Sequence, residues 1–216
     1  MAKEREALAA GMEYASGAEE IGPRSVHASR THETRRMFTG RDFLVWTATL
    51  LAFPFSGLAG RAVAGPIDSM WTAALAGAVA GLVLGTAQWL ALRRIGADVR
   101  WIAATTAGLG IGLGLAYAIF GYGDTVADLA VVGAVSGLGI GAAQWWTLRR
   151  LVDRSSVWIP ATAAAWALGW TVTITIGVDP DDRWANFGLS GSTTATVLLG
   201  AVLWTLARSG MRDGRP

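Results

Sequence analysis

The chain has no cysteine and only two histidines, and its long apolar blocks contain no Asp, Glu, Lys or His. The first absence excludes disulfides, thiolate nucleophiles and Cys-ligated metals. His27 and His32 stand five residues apart in the polar N-terminal stretch with no third ligand close in sequence, so they read as solvated rather than as a metal site. The third absence argues against a proton-coupled pump or transporter, which commonly holds an ionisable group at membrane depth. Arg61 stands only at the edge of a block. No histidine shares a depth with an acid and a nucleophile, and no Gly-x4-Gly-Lys-Ser/Thr loop is present. No catalytic residue, cofactor or metal is therefore expected, and the chain does not read as an enzyme. The acids of Asp179-Pro180-Asp181-Asp182 lack the spacing of a calcium loop and read as a solvated turn.

What the sequence does have is apolar length. It is 52% hydrophobic and 16% charged over 216 residues, with a mean hydropathy of +0.40. A helix needs ~20 apolar residues to cross ~30 Å of hydrocarbon, and blocks at 43–60, 70–92, 101–120, 129–148, 157–178 and 184–206 supply them. The fold class expected is all-α integral membrane, with six transmembrane helices. Pro54 predicts a kink in the first span, while Pro160 falls in the first turn of the fifth, where a missing donor costs little. Residues 1–42 are polar, lack the apolar core of a signal peptide and read as a disordered tail. Arg30, Arg35, Arg36 and Arg41 crowd its approach to the membrane. Residues 209–216 form a second tail.

The same stretch occurs twice. Gly77, Gly81, Gly85, Gln88, Trp89, Leu92, Arg93 and Arg94 recur 56 residues later as Gly133, Gly137, Gly141, Gln144, Trp145, Leu148, Arg149 and Arg150. A single offset throughout marks duplication rather than shared bias. Trp101 to Thr105 matches Trp158 to Thr162, with Phe43 to Thr47 a fainter third version. In the last span Ser192, Thr196, Gly200, Trp204 and Arg208 align on the motif, with Leu203 where glutamine stood. The reading is three repeated helical hairpins, at about 43–94, 101–150 and 157–208, each entering from the same side.

At about 100° per residue, Gly77, Gly81, Gly85, Gln88 and Leu92 fall within roughly 80° of one another, a stripe of small residues ending in an amide. The stripes admit two readings: close helix packing, within one chain or between chains, at Gly77, Gly81, Gly85, Gly133, Gly137, Gly141 and Gly200, or the lining of a channel. Gln88 and Gln144 lie about 7 Å inside the arginine boundary by helical rise. They read either as modest interhelical glue or as a polar ring at the mouth of a pathway.

Sixteen of the 18 Lys and Arg lie in the N-terminal tail, in the loops after the second and fourth spans, and from Arg208 onward. The positive-inside rule then puts both termini in the cytoplasm. Arg93, Arg94, Arg149 and Arg150, with Trp89 and Trp145, read as lipid-headgroup anchors. Trp101, Trp158 and Trp204 also sit beside the basic loops, where an indole can bury its ring and keep its N–H wet. The sequence pI is near 9.5, but the net charge is only +2 and the basic residues are split among helix ends, so nucleic acid is not an expected partner.

The pattern Gly-x3-Gly-x3-Gly-x2-Gln-Trp-x2-Leu-Arg, at Gly77 to Arg93 and Gly133 to Arg149, resembles a motif of small uncharacterised multi-pass membrane proteins from bacteria. The resemblance covers about residues 43–208, and the third copy departs from it at Leu203 and Ala207. It implies a bacterial plasma membrane and carries no activity with it. The expected role is a helix-packing scaffold or binding module for membrane partners, lipids or further copies of the chain. The alternative is an uncoupled channel or transporter for a small neutral or lipid-like solute. A continuous polar cavity reaching Gln88 and Gln144 would favour transport; glycine stripes sealed against helices would favour the scaffold.

Overall fold

The computed structural model describes residues 38–121, 123, 125–177, 186 and 188–212, with side chains to 208. Six helices are long and apolar enough to cross a membrane by length and composition. They are α1 (Gly40–Ala64), α2 (Met70–Leu92), α3 (Arg100–Phe120), α4 (Val126–Leu148), α5 (Trp158–Thr175) and α6 (Leu189–Arg212). No strand occurs among the described residues. Each helix packs on its neighbours in sequence, and α6 returns to α1, so the six close into a ring.

The outside of the ring is where the large aliphatic and aromatic side chains go: Phe55, Leu58, Ile111, Leu115 and Ile119 are all more than half exposed. The inside holds Gln88, Thr105, Gln144 and Thr162, all buried. At roughly 25 cal/mol per Å² of apolar surface, water would penalise that outer face heavily, whereas hydrocarbon does not. The six helices fit a multi-pass membrane protein.

Several boundaries depart from the sequence expectation. The regular helix of α1 is interrupted by a 3-10 turn at Ala48–Leu51, in the residues just before Pro54. Helix resumes at Ala52, which puts Pro54 in a first turn and spares the chain a clash between its ring and Leu50 O. The fourth helix begins three residues before the apolar block at 129–148, so Asp128 lies inside α4: Thr125 Oγ1 accepts from Asp128 N at 3.1 Å while Asp128 Oδ2 accepts from Thr125 N at 3.3 Å, a reciprocal cap. Thr39 with Asp42, and Ser69 with Thr72, cap α1 and α2 in the same way. The α1 cap brings 39–42, expected in the tail, into ordered structure. The α5 helix stops at Thr175 rather than 178, closing on Gly177 at φ +96°. The expectations for residues 1–37, 178–185 and 213–216 lie outside the described residues.

The Gly-x-Gly-x-Gly run of α3 is shared between two neighbours. Residues two apart on a helix point about 200° from each other. A methyl added at Gly108 would meet Ile140 Cα of α4 at 2.7 Å, and one at Gly112 would meet Ser136 Cα at 2.9 Å. At Gly110 and Gly114 it would instead meet Ala78 Cβ at 3.1 Å and Ala74 Cβ at 3.0 Å, both on α2. The third helix is thus pinched from both sides.

Ser136 shows what such closeness costs. It is fully buried and its Oγ has no hydrogen-bond partner, while Ala80, its counterpart 56 residues earlier, is equally buried. Removing an unpaired buried hydroxyl relieves its desolvation cost. Ser136→Ala should raise stability by about 0.5–1 kcal/mol in mixed-micelle unfolding.

Candidate functional site

The two glycine runs face the helix that follows each of them. An added methyl at Gly77 would lie 2.7 Å from Leu109 O, at Gly81 2.7 Å from Thr105 O, and at Gly85 2.8 Å from Thr105 Cβ. In the second run Gly133 would meet Trp166 O at 2.7 Å, Gly137 Thr162 O at 2.6 Å, and Gly141 Ile159 Cα at 3.0 Å. The opposing residues Leu109 and Trp166, and Thr105 and Thr162, are each 57 apart. These seams join α2 to α3 and α4 to α5, across the boundaries between the expected hairpins. Gly200 of α6 meets aromatic side chains of α1, Trp46 Cδ1 at 2.8 Å and Phe43 Cε2 at 2.9 Å, rather than backbone.

Backbones this close bring the ends of the stripes together. Gln88 is 6% exposed and Gln144 1%. Gln144 Nε2 donates to Gln88 Oε1 at 3.1 Å and to Thr105 Oγ1 at 2.9 Å. Trp101 Nε1 donates to Gln88 Oε1 at 3.1 Å, and Trp158 Nε1 to Gln144 Oε1 at 2.9 Å. An indole N–H can only donate, so each tryptophan fixes which end of its amide is oxygen. Thr105 Oγ1 passes its own proton back to Trp101 O at 2.9 Å, and Thr162 Oγ1 and Thr47 Oγ1 do likewise to Trp158 O and Phe43 O.

The layer continues round the ring. Trp158 stacks edge-on against Trp46 of α1, with ring centroids 6.2 Å apart, and Trp101 lies 6.1 Å from Trp158. Three indoles from α1, α3 and α5 therefore fill the centre. Trp46 Nε1 donates to Thr196 O of α6 at 2.9 Å. In α6 the glutamine position is the buried Leu203, and a backbone carbonyl takes the indole proton instead. Through these hydrogen bonds and ring contacts the cluster reaches all six helices.

Comparison with known protein families, curated proteins and solved structures finds no match to this chain.

The interfacial assignment of Trp101 and Trp158 is corrected: both are fully buried and hydrogen-bonded to the glutamines. They are the site residues that sequence reasoning misplaced. The signal was there, since a tryptophan follows each glutamine by 13 or 14 residues, at the start of the next helix. Trp89 and Trp145 stay partly exposed, beneath Arg93 at 5.8 Å and Arg149 at 5.4 Å from their ring centroids. Arg149 also covers the exposed Trp146 at 3.8 Å, and Arg208 covers Trp204 at 4.4 Å. Such stacking suits a guanidinium held over an indole at a membrane boundary. Arg94 and Arg150 are exposed.

Chemically, the amide layer offers no nucleophile, base or acid. A furrow between α2 and α3 and a smaller cup near Gly96 are open at the surface, and neither includes Gln88 or Gln144 among its lining residues.

Proposed function

We propose that the chain is a membrane-embedded helical scaffold, a binding module for membrane lipids, membrane proteins or further copies of itself, and that it has no catalytic role. It lies in a bacterial plasma membrane with both termini in the cytoplasm, as the arginine distribution and the motif resemblance imply. The observation that carries this reading is the sealing of Gln88 and Gln144 by Trp101, Trp158 and Thr105: a solute pathway needs an amide it can reach, and these are spent on one another. The glycine runs are likewise spent inside the chain, since a methyl added at any of the six would stand 3.0 Å or less from an atom of the next helix. Partners must therefore meet the outer faces.

Two measurements test this. Proteoliposomes challenged with glycerol or urea should swell no faster than protein-free vesicles; protein-dependent flux that Gln144→Leu abolishes would establish transport instead. A photo-crosslinking side chain at the outward Leu138 should capture lipid or another protein, whereas one at the buried Leu113 should react only within the chain.

A further inference from the structure

The furrow between α2 and α3 and the cup beside it share one residue, Arg100. The furrow has a volume of about 820 Å³ and a floor of small side chains, among them Ala74, Ala78, Ala103, Ala107 and Gly110. The cup has about 150 Å³ and is lined by Gly96, Asp98, Trp146, Thr147 and Arg150 as well as Arg100. The apolar trough thus ends at Arg100, and the cup on the other side of that residue adds Arg150.

We propose that this is a site for one anionic phospholipid, with an acyl chain lying in the furrow and the phosphate held between Arg100 and Arg150. The inference deepens the scaffold reading and rests on the six helices lying in a bilayer. Three observations choose a lipid over other occupants. The furrow runs from Arg100 to Ile111 along α3, about 16 Å by helical rise, which is the depth of one leaflet of a ~30 Å hydrocarbon layer. Its outer rim is exposed apolar side chain, Leu82, Val99 and Ile111, so hydrocarbon is what bathes it. The charge lies at one end only, at the level of the arginine-bearing loops, where headgroup phosphates lie.

Asp98 does not cancel the cup. Its Oδ1 accepts from Arg100 N at 2.8 Å and forms an ion pair with Arg100 Nε at 4.0 Å, which offsets part of that charge; with Arg150 added, two guanidinium groups face one carboxylate and the cup stays net positive. A guanidinium carries five N–H donors in a plane that matches phosphate oxygens. The furrow exists because both of its walls are built from alanine and glycine where α2 and α3 converge. Ala103 and Ala107, one turn apart on α3, are exposed in the furrow.

The test uses the full chain purified in detergent and titrated with phosphatidylglycerol or phosphatidylcholine, read by native mass spectrometry and by thermal melting. Wild type should retain one phosphatidylglycerol in preference to phosphatidylcholine and melt higher when it is bound. Arg100→Gln with Arg150→Gln should bind phosphatidylglycerol roughly 10- to 30-fold more weakly and lose the preference. Ala103→Leu with Ala107→Leu, which fills the trough and leaves the arginines, should lose both lipids while melting as wild type does in their absence. Inorganic phosphate should not compete. Equal affinity for the two lipids in wild type, or full competition by phosphate, would overturn the proposal. So would a wild-type dimer that becomes a monomer when the furrow is filled, since the trough would then be a seat for a second copy. If the chain instead stays in solution after cell lysis without detergent, the bilayer reading itself has failed.

Discussion

Gly137→Leu should leave no folded protein to purify, and Gly137→Ala should already cost about 1–3 kcal/mol in mixed-micelle unfolding. The sign is not given by helix propensity, which favours alanine over glycine by about 1 kcal/mol. It is given by space. The new Cβ would stand 2.6 Å from Thr162 O and 2.7 Å from Ala163 Cα, both backbone atoms of α5, which can yield only if the helix moves. Moving α5 displaces Trp158 and, with it, the bond to Gln144. Gly40→Ala is the control, because its nearest neighbour is Trp204 Cη2 at 4.0 Å. There the propensity gain should survive, leaving stability unchanged or up to about 1 kcal/mol higher. Gly81→Leu should resemble Gly137→Leu, since Thr105 O and Thr106 Cα stand 2.7 and 2.9 Å from its added methyl. If both leucine variants fold and melt as wild type does, the seams are looser than the geometry states.

The second large effect is expected at Gln144. Its replacement by leucine removes the bonds to Trp158, Gln88 and Thr105 together. Interhelical hydrogen bonds in bilayers average ~0.6 kcal/mol, so three lost bonds alone come to roughly 2 kcal/mol. Two of the former partners keep another bond: Gln88 Oε1 retains Trp101, and Thr105 Oγ1 retains Trp101 O. The Trp158 N–H loses its acceptor in a fully buried site, which adds to the cost. Gln144→Leu should therefore destabilise by about 2–3 kcal/mol. Gln88→Leu should cost less, about 1–2 kcal/mol, because Gln144 Nε2 still reaches Thr105. The double variant should cost less than the sum of the two, since the bond they share is lost only once. Strict additivity would mean that the two amides do not meet.

The sequence was most legible where one rule acts alone. Apolar length set the six spans, whereas the glycine stripes ending in Gln88 and Gln144 left helix packing and a pathway lining both open. It was least legible where two demands compete for one residue. A tryptophan beside an arginine loop suits an interface as well as a core, and only the close approach of α2 to α3 and of α4 to α5 turns Trp101 and Trp158 inward. The same holds for Asp128, whose charge suggests a loop although its reach back to Thr125 makes it a cap. Pro54 marked a real irregularity in α1, a 3-10 turn that includes Leu50, the residue whose carbonyl a continuous α-helix would set against the proline ring. The Gly-x-Gly-x-Gly run of α3 could not be divided between two neighbours until both were in place. The Arg100 furrow depends on the joint shape of two helices, which no single stretch encodes.

The most direct test of the account is hydrogen exchange at the tryptophan side chains, followed by NMR of the indole N–H groups of the full chain in bicelles. The Trp101 and Trp158 protons, locked onto Gln88 and Gln144, should exchange far more slowly than those of the exposed Trp71 and Trp146. Gln144→Leu should speed the Trp158 proton while leaving Trp101 protected. Exchange of all four indoles at one rate in wild type would contradict a sealed amide layer at the centre of the ring.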